Sequence, residues 1–207
     1  MKTQMRFQKI LMLVSLIVAA LSFVYALSFC SGTVYQYGTL YLPNSGTEAV
    51  EGAEDLFFAS QDYNDTLITL SIIFIVVAVL NYIAASQKRR KYYITNYVSI
   101  ILTAVYAVVF AILLLVFVSD TYSLFTAIDK EAAEEAYSLF YGDFKYSISN
   151  FILGYIMAAL MIVNAVVLVL NLVWKIKLMQ GEKKLLEGSQ VSAPVENSPE
   201  VPTEEVV

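Results

Sequence analysis

The sequence predicts an all-α integral membrane protein: a four-helix transmembrane bundle with two structured outer loops and both termini cytoplasmic. Three observations carry this reading. Hydrophobic residues make up 58% of the 207 residues and charged residues only 15%, against about 45–50% apolar and roughly 25% charged in a soluble domain. A chain this short cannot bury so much apolar surface in a core of its own. Four segments of at least nineteen residues carry no Asp, Glu, Lys or Arg, and a hydrocarbon core of about 30 Å needs roughly 20 helical residues. Finally, eleven of the thirteen basic residues fall on one side of those segments.

The elements follow in order. Residues 1–9 form a cytoplasmic tail with Lys2, Arg6 and Lys9, and residues 10–29 form the first span. A signal peptide cleaved after Ser28 competes with this reading. The uncharged run, however, exceeds the usual ~7–15 residues of such a leader, which favours a retained helix. The bulky Phe29 before Cys30 does not suit a lipoprotein site. Residues 30–66 are an acidic outer loop. Within it the alternation of Tyr35, Tyr37, Thr39 and Tyr41 suggests a strand or hairpin. Pro43-Asn44-Ser45-Gly46 is a turn signal, and Thr47 to Ser60 reads as a short acidic helix.

The second span covers residues 67–85. A basic inner loop over 86–96 follows, with Lys88, Arg89, Arg90 and Lys91, and the third span covers 97–118. The second outer loop, 119–150, is again acidic. It contains an amphipathic helix that offers Ile128, Ala132, Leu139 and Phe140 to one face and is expected to cover the helix ends. The fourth span covers 151–173. The tail over 174–207 becomes rich in Ser, Pro and Glu after Gly188, a disordered composition.

Orientation comes from the basic residues. The tails and the inner loop hold eleven bases and six acids, whereas the outer loops hold two bases and twelve acids. Tyr82, Tyr92, Tyr93 and Trp174 mark the inner boundary, and Tyr63, Tyr122 and Tyr146 the outer one, as aromatic belts do. The expected location is the cell membrane, and the features fit a bacterial cytoplasmic membrane.

The same composition narrows the chemistry. There is no histidine and one cysteine, so His-based acid–base work and the commonest metal sites are absent. The net charge of −5 argues against nucleic acid. No catalytic residue, metal ligand set or cofactor site is expected, and the chain does not read as an enzyme. Glu48, Glu51, Glu54 and Asp55, and likewise Glu131, Glu134 and Glu135, match no calcium-loop spacing and read as solvated acidic faces. Ionisable residues within a span would mark an ion path; the spans hold none. All four prolines lie outside the spans, and Gly154 is the one glycine inside them, so the helices should be unbroken.

What the spans do hold is asparagine. Asn81, Asn96, Asn164 and Asn171 lie at or toward the cytoplasmic ends, where each needs a partner on another helix. They read as interhelical fastenings, with a polar path as the alternative. Small residues form stripes: Ser15, Ala19, Ser22 and Ala26; Ser99, Thr103, Ala107 and Ala111; Gly154, Ala158 and Ala165. Such stripes let helices approach closely, either inside the bundle or against another protein. At an offset of 83 residues Leu56-Phe57-Phe58-Ala59 matches Leu139-Phe140-Tyr141-Gly142, Tyr63 falls on Tyr146, and Asn81 falls on Asn164. A duplicated hairpin, repeated about an axis along the membrane normal, would produce this.

In plan alone the chain resembles claudins and tetraspanins: four spans, inside termini and a short inner loop. It lacks the Trp and paired Cys of the claudin outer loop and the Cys-Cys-Gly of tetraspanins, so the resemblance implies no residue role. The expected function is association: a non-catalytic accessory subunit or scaffold of a membrane complex, with a protein partner or further copies of itself beside the lipid bilayer. The alternative is a small oligomeric transporter or channel that uses the asparagine layer.

Overall fold

The computed structural model describes residues 2–41, 50–86, 93–141 and 148–191, and every element among them is helical. Helix α1 runs over Lys2–Ser28 and passes through a π-helical turn, Phe29–Val34, into α2, Tyr35–Tyr41. Then come α3 (Ala53–Ser86), α4 (Tyr93–Ala127), α5 (Lys130–Tyr141) and α6 (Ser149–Val191). Four helices are long and apolar enough to cross a membrane: Thr3–Tyr41, Ala53–Ser86, Ile94–Ala127 and Ser149–Leu185.

The chain divides into two compact units, Met1–Leu172 and Val173–Val207. The first is the bundle. Helix α1 packs against α3, and α3 against α4. Hydrogen bonds from Gln4, Ser15 and Tyr25 join α1 to Asn171, Asn164 and Asn150 of α6. Since one series ascends as the other descends, α1 and α6 are antiparallel. Contacts of α3 with α4 descend and ascend in the same way, from Tyr63 with Asp120 through Leu70 with Tyr106 to Asn81 with Ser99. In the second unit, Lys177, Lys183, Lys184 and Leu185 are exposed along the last described part of α6.

The buried face of α3 shows why these helices pair. Leu56, Ser60, Asn64, Leu67, Ser71, Phe74, Ala78, Asn81 and Ala85 are buried, in the alternating three–four spacing that keeps one helix face toward its neighbours. The outer faces are largely apolar. Ile10, Leu13, Ile17, Leu21 and Val24 of α1 are exposed, as are Ile101, Val105, Val109, Ile112 and Val116 of α4. Polar and small residues thus point inward and large apolar ones outward, the arrangement lipid requires.

Several expected boundaries shift. Residues 33–41 do not form a strand: α2 continues the first helix, with Tyr37 and Leu40 buried on one face, a helical spacing rather than alternation, and residue 42 lies outside the described residues. The acidic helix expected over 47–60 begins at Ala53 and runs straight into the second span as α3. Gly52, at φ +79°, makes the turn into it, in a region that favours glycine. Glu54 and Asp55 lie in its first turn, where negative charge complements the helix dipole. Residues 2–9 are helical, since α1 begins at Lys2, and Gln4 and Gln8 within them are buried. The fourth helix continues beyond Gly188 to Val191. The turn expected at Pro43–Gly46, the basic cluster at 88–91 and the tail from 192 lie outside the described residues.

At the acidic end, α5 starts where the Asp129 carboxylate accepts from the Glu131 N–H at 3.0 Å, a capping contact. Ala133 is fully buried and Ile128 nearly so, whereas Ala132 of the expected face is only partly buried, and α5 touches α2. The side chains of Leu139 and Phe140 are outside the described set. Beneath it Tyr37, Phe125 and Phe151 meet in series at ring separations of 5.8 and 5.2 Å. Tyr63 stacks on Phe117 at 4.5 Å and donates to Asp120.

Candidate functional site

Among the described residues, polar side chains from all four long helices converge in the interior at the basic end of the bundle. It starts at the N-terminus of α1. Gln4 Nε2 donates to Gln8 Oε1 at 3.4 Å and to Asn171 Oδ1 at 3.2 Å. Gln8 Nε2 donates to Asn96 Oδ1 at 2.6 Å. Asn96 Nδ2 in turn donates to the Ala84 carbonyl at 3.3 Å. A single chain of amides therefore links α6, α1, α4 and α3. All four amide residues are buried, Gln4 at 2% and Asn171 at 2% exposure.

Further into the bundle lie two Ser–Asn rungs. Ser15 Oγ is 2.9 Å from Asn164 Oδ1, between α1 and α6. Ser99 Oγ is 3.1 Å from Asn81 Oδ1, between α4 and α3. Beyond each rung a tyrosine reaches across the same seam to a main-chain carbonyl. Tyr25 bonds Asn150 O at 3.1 Å and Tyr106 bonds Leu70 O at 2.7 Å. Ser and Tyr come from the first helix of one hairpin, and their acceptors from the second helix of the other. Each Ser–Asn rung therefore joins the first helix of one hairpin to the second helix of the other.

All four sequence-predicted asparagines are therefore buried and joined across helices, Asn96 and Asn171 in the amide chain with Gln4 and Gln8, and Asn81 and Asn164 each with a serine of a neighbouring helix. Their amides are not fully used. Asn81 Nδ2, Asn164 Nδ2 and Asn171 Nδ2 are buried without a hydrogen-bond partner. The predicted packing residues also resolve. Ser15, Ala19, Ser22 and Ala26 of α1, Thr103, Ala107 and Ala111 of α4, and Ala158 and Ala165 of α6 are all buried. The stripes are seams within the bundle. Gly154 marks the closest approach: a Cβ there would meet Val118 Cγ2 at 2.5 Å and Tyr25 Oη at 2.6 Å. The hydroxyls of Ser22, Ser71, Thr103 and Thr121 bond carbonyls of their own helices, so burial leaves them satisfied.

No known protein family, curated protein or solved structure matches this chain. The site must be read from its own atoms.

Gln4 and Gln8 were the members missed by sequence reasoning. Their signal was present: Gln4, Gln8, Leu11, Ser15, Val18, Ser22 and Tyr25 continue one three–four spacing through α1, and all are buried. The boundary set by hydropathy hid it, because the charged Arg6 and Lys9 interrupt the apolar run while lying on exposed faces of the helix.

Halfway along α4 and α6 the outer surface opens into a groove of about 420 Å³. Its floor is Ala104 and Ala165, and its walls include Val105, Val109, Ile162 and Val166. Its lining exposes no polar surface. The β-branched walls have one strongly preferred rotamer each on a helix, so the groove is preformed.

Proposed function

We propose that the protein is a non-catalytic multi-pass membrane protein, with both termini cytoplasmic, that acts through association as an accessory subunit or scaffold of a membrane complex. The observation that supports this reading best is the α4–α6 groove. The polar groups and small residues of the four helices face one another, which leaves the outer surface to make whatever external contacts the protein has. On that surface the groove offers a rigid, wholly apolar seat with an alanine floor, the form that accepts an apolar transmembrane segment of a partner. The excess of basic residues in the tails and inner loop supports the orientation.

The test is purification of the intact protein from native membranes in a gentle detergent, with mass spectrometry of the eluate. A stoichiometric second protein is expected, and Val109→Trp together with Val166→Trp should release it. Both positions are exposed in the groove wall, so the bundle itself should tolerate them. Isolation as a lone monomer overturns the reading.

A second reading, a small oligomeric transporter or channel, is favoured by one observation: the three amide nitrogens of Asn81, Asn164 and Asn171 that lack acceptors. It requires flux in liposomes that falls in Asn81→Leu and Asn164→Leu. Unchanged flux removes it.

A further inference from the structure

On the reading of the α4–α6 groove as a partner's seat, we propose that the seat selects by charge as well as by shape. The partner is a membrane-spanning helix with an apolar body and a Lys or Arg at the end that lies beside Asp120.

The groove is short. Its lining runs from Ala104 to Val109 on α4 and from Ile162 to Leu170 on α6, about 8 Å and about 12 Å at roughly 1.5 Å per residue. A spanning helix crosses a hydrocarbon core of about 30 Å, so most of its length lies beyond the groove. The α4 wall shows where. Val105, Val109, Ile112 and Val116 are all exposed, in the three–four spacing that keeps one helix face. One more step of the same spacing reaches Asp120, which is also exposed and is the single charged residue of α4. A helix that follows this face out of the groove ends beside a carboxylate.

That carboxylate is held in place on one side only. Its Oδ2 accepts from the Tyr63 hydroxyl at 3.2 Å, and the Tyr63 ring stacks on Phe117 at 4.5 Å. Its Oδ1 makes no hydrogen bond among the described residues. A Lys or Arg reaches it by laying its apolar stem along the helix with the charged head at the edge of the lipid. An Asp or Glu at the same place is repelled, and such repulsion sharpens the choice of partner.

The same charge argues against a second copy in the groove. Copies in one membrane share an orientation, and the two outer loops hold twelve acids against two bases, so this end would meet its like. Most spanning helices gather their bases at the opposite, cytoplasmic end. A base beside Asp120 therefore sets the partner apart from the bulk of membrane helices.

The experiment measures energy transfer in nanodiscs between the intact protein and a synthetic Leu/Ala helix of about 22 residues, long enough to span. The protein is labelled at Cys30, its one cysteine and exposed. One peptide carries a pair of lysines at one end and glutamines at the other; the control carries glutamines at both. The lysine peptide should bind about two- to fivefold more tightly than the control, the upper part of the range for exposed ion pairs. Asp120→Asn, which keeps an acceptor for Tyr63, should bring the two peptides to equal affinity. So should about 1 M sodium chloride, where charges are screened beyond about 3 Å. Equal binding of the two peptides by the parent overturns the selection by charge, as does a lysine preference that survives in Asp120→Asn; either result leaves the seat itself standing. Val109→Trp together with Val166→Trp should weaken both peptides. No binding of either peptide, or binding unchanged by the tryptophans, overturns the seat and leaves the groove to lipid. Energy transfer between two differently labelled copies, abolished by the same tryptophans, makes the occupant a second copy and overturns the proposal.

Discussion

The hydroxyl of Tyr25 occupies the space that a side chain at Gly154 would fill. It stands 2.6 Å from the position of a Cβ there and donates to the carbonyl of Asn150, one turn earlier on the same helix. The single glycine inside the expected spans thus serves a contact between α1 and α6.

Gly154→Ala should lower stability by about 1–3 kcal/mol, the usual cost of overpacking. The added methyl meets Val118 as well as Tyr25, so trimming only one neighbour leaves the clash. Tyr25→Phe should cost less, near the average of about 0.6 kcal/mol for a hydrogen bond between membrane helices. Unfolding of the purified protein in mixed micelles by increasing sodium dodecyl sulfate measures both. A glycine variant as stable as the parent would contradict the close approach.

Ser15→Ala and Ser99→Ala remove one rung each. Each should cost about 0.6 kcal/mol and no more than about 1.7 kcal/mol. The two seams share no hydrogen-bond partner, so the double variant should equal the sum of the singles to within about 0.3–0.5 kcal/mol. A larger coupling in the same unfolding experiment would show that the rungs are one network.

The amide chain behaves differently. Gln8→Leu leaves Asn96 Oδ1 without its 2.6 Å donor and removes one of the two acceptors of Gln4. Its expected cost, about 1–3 kcal/mol, exceeds that of either serine variant. Combining it with Asn96→Leu should recover part of the loss, because replacing both partners by apolar groups can be nearly neutral. A double-mutant cycle decides the matter: additive losses would mean that the two amides do not interact.

Asn64 begins the sequon Asn64-Asp65-Thr66, yet it lies within α3 and is only 3% exposed. Expression in a host that glycosylates membrane proteins should give a chain whose mobility is unchanged by an amidase that removes N-glycans. A shift on treatment would place Asn64 outside the bundle.

Much of this arrangement was legible from the residues. Hydropathy located four helices, and the three–four spacing of Ser15, Ala19, Ser22 and Ala26 anticipated a tight seam. The spacing could not say which helix lies opposite, because a small residue is equally suited to any neighbour. Two features misled for physical reasons. Tyr35, Tyr37, Thr39 and Tyr41 alternate in the manner of a strand, but Tyr37 and Leu40 are the pair that becomes buried, so packing against α3 overrides local preference. Gln4 and Gln8 lie among charged residues, and long polar side chains read as solvent-facing until another helix supplies their partners. The pairing of Asn164 with Ser15 and of Asn81 with Ser99 depends on tertiary contact and has no trace in either segment alone.

The π-helical turn at Phe29–Val34 has a further consequence. A π-turn accommodates one residue beyond the ordinary helical count, and each residue of an α-helix corresponds to about 100° of rotation at 3.6 residues per turn. The segment therefore resets the phase of everything after it. Tyr37 reaches Phe125 and Leu40 is buried on a bearing offset from the one that α1 keeps for its seams with α3 and α6. One continuous helix thereby presents two differently aimed contact faces, one to the bundle and one to the aromatic cluster around Phe125.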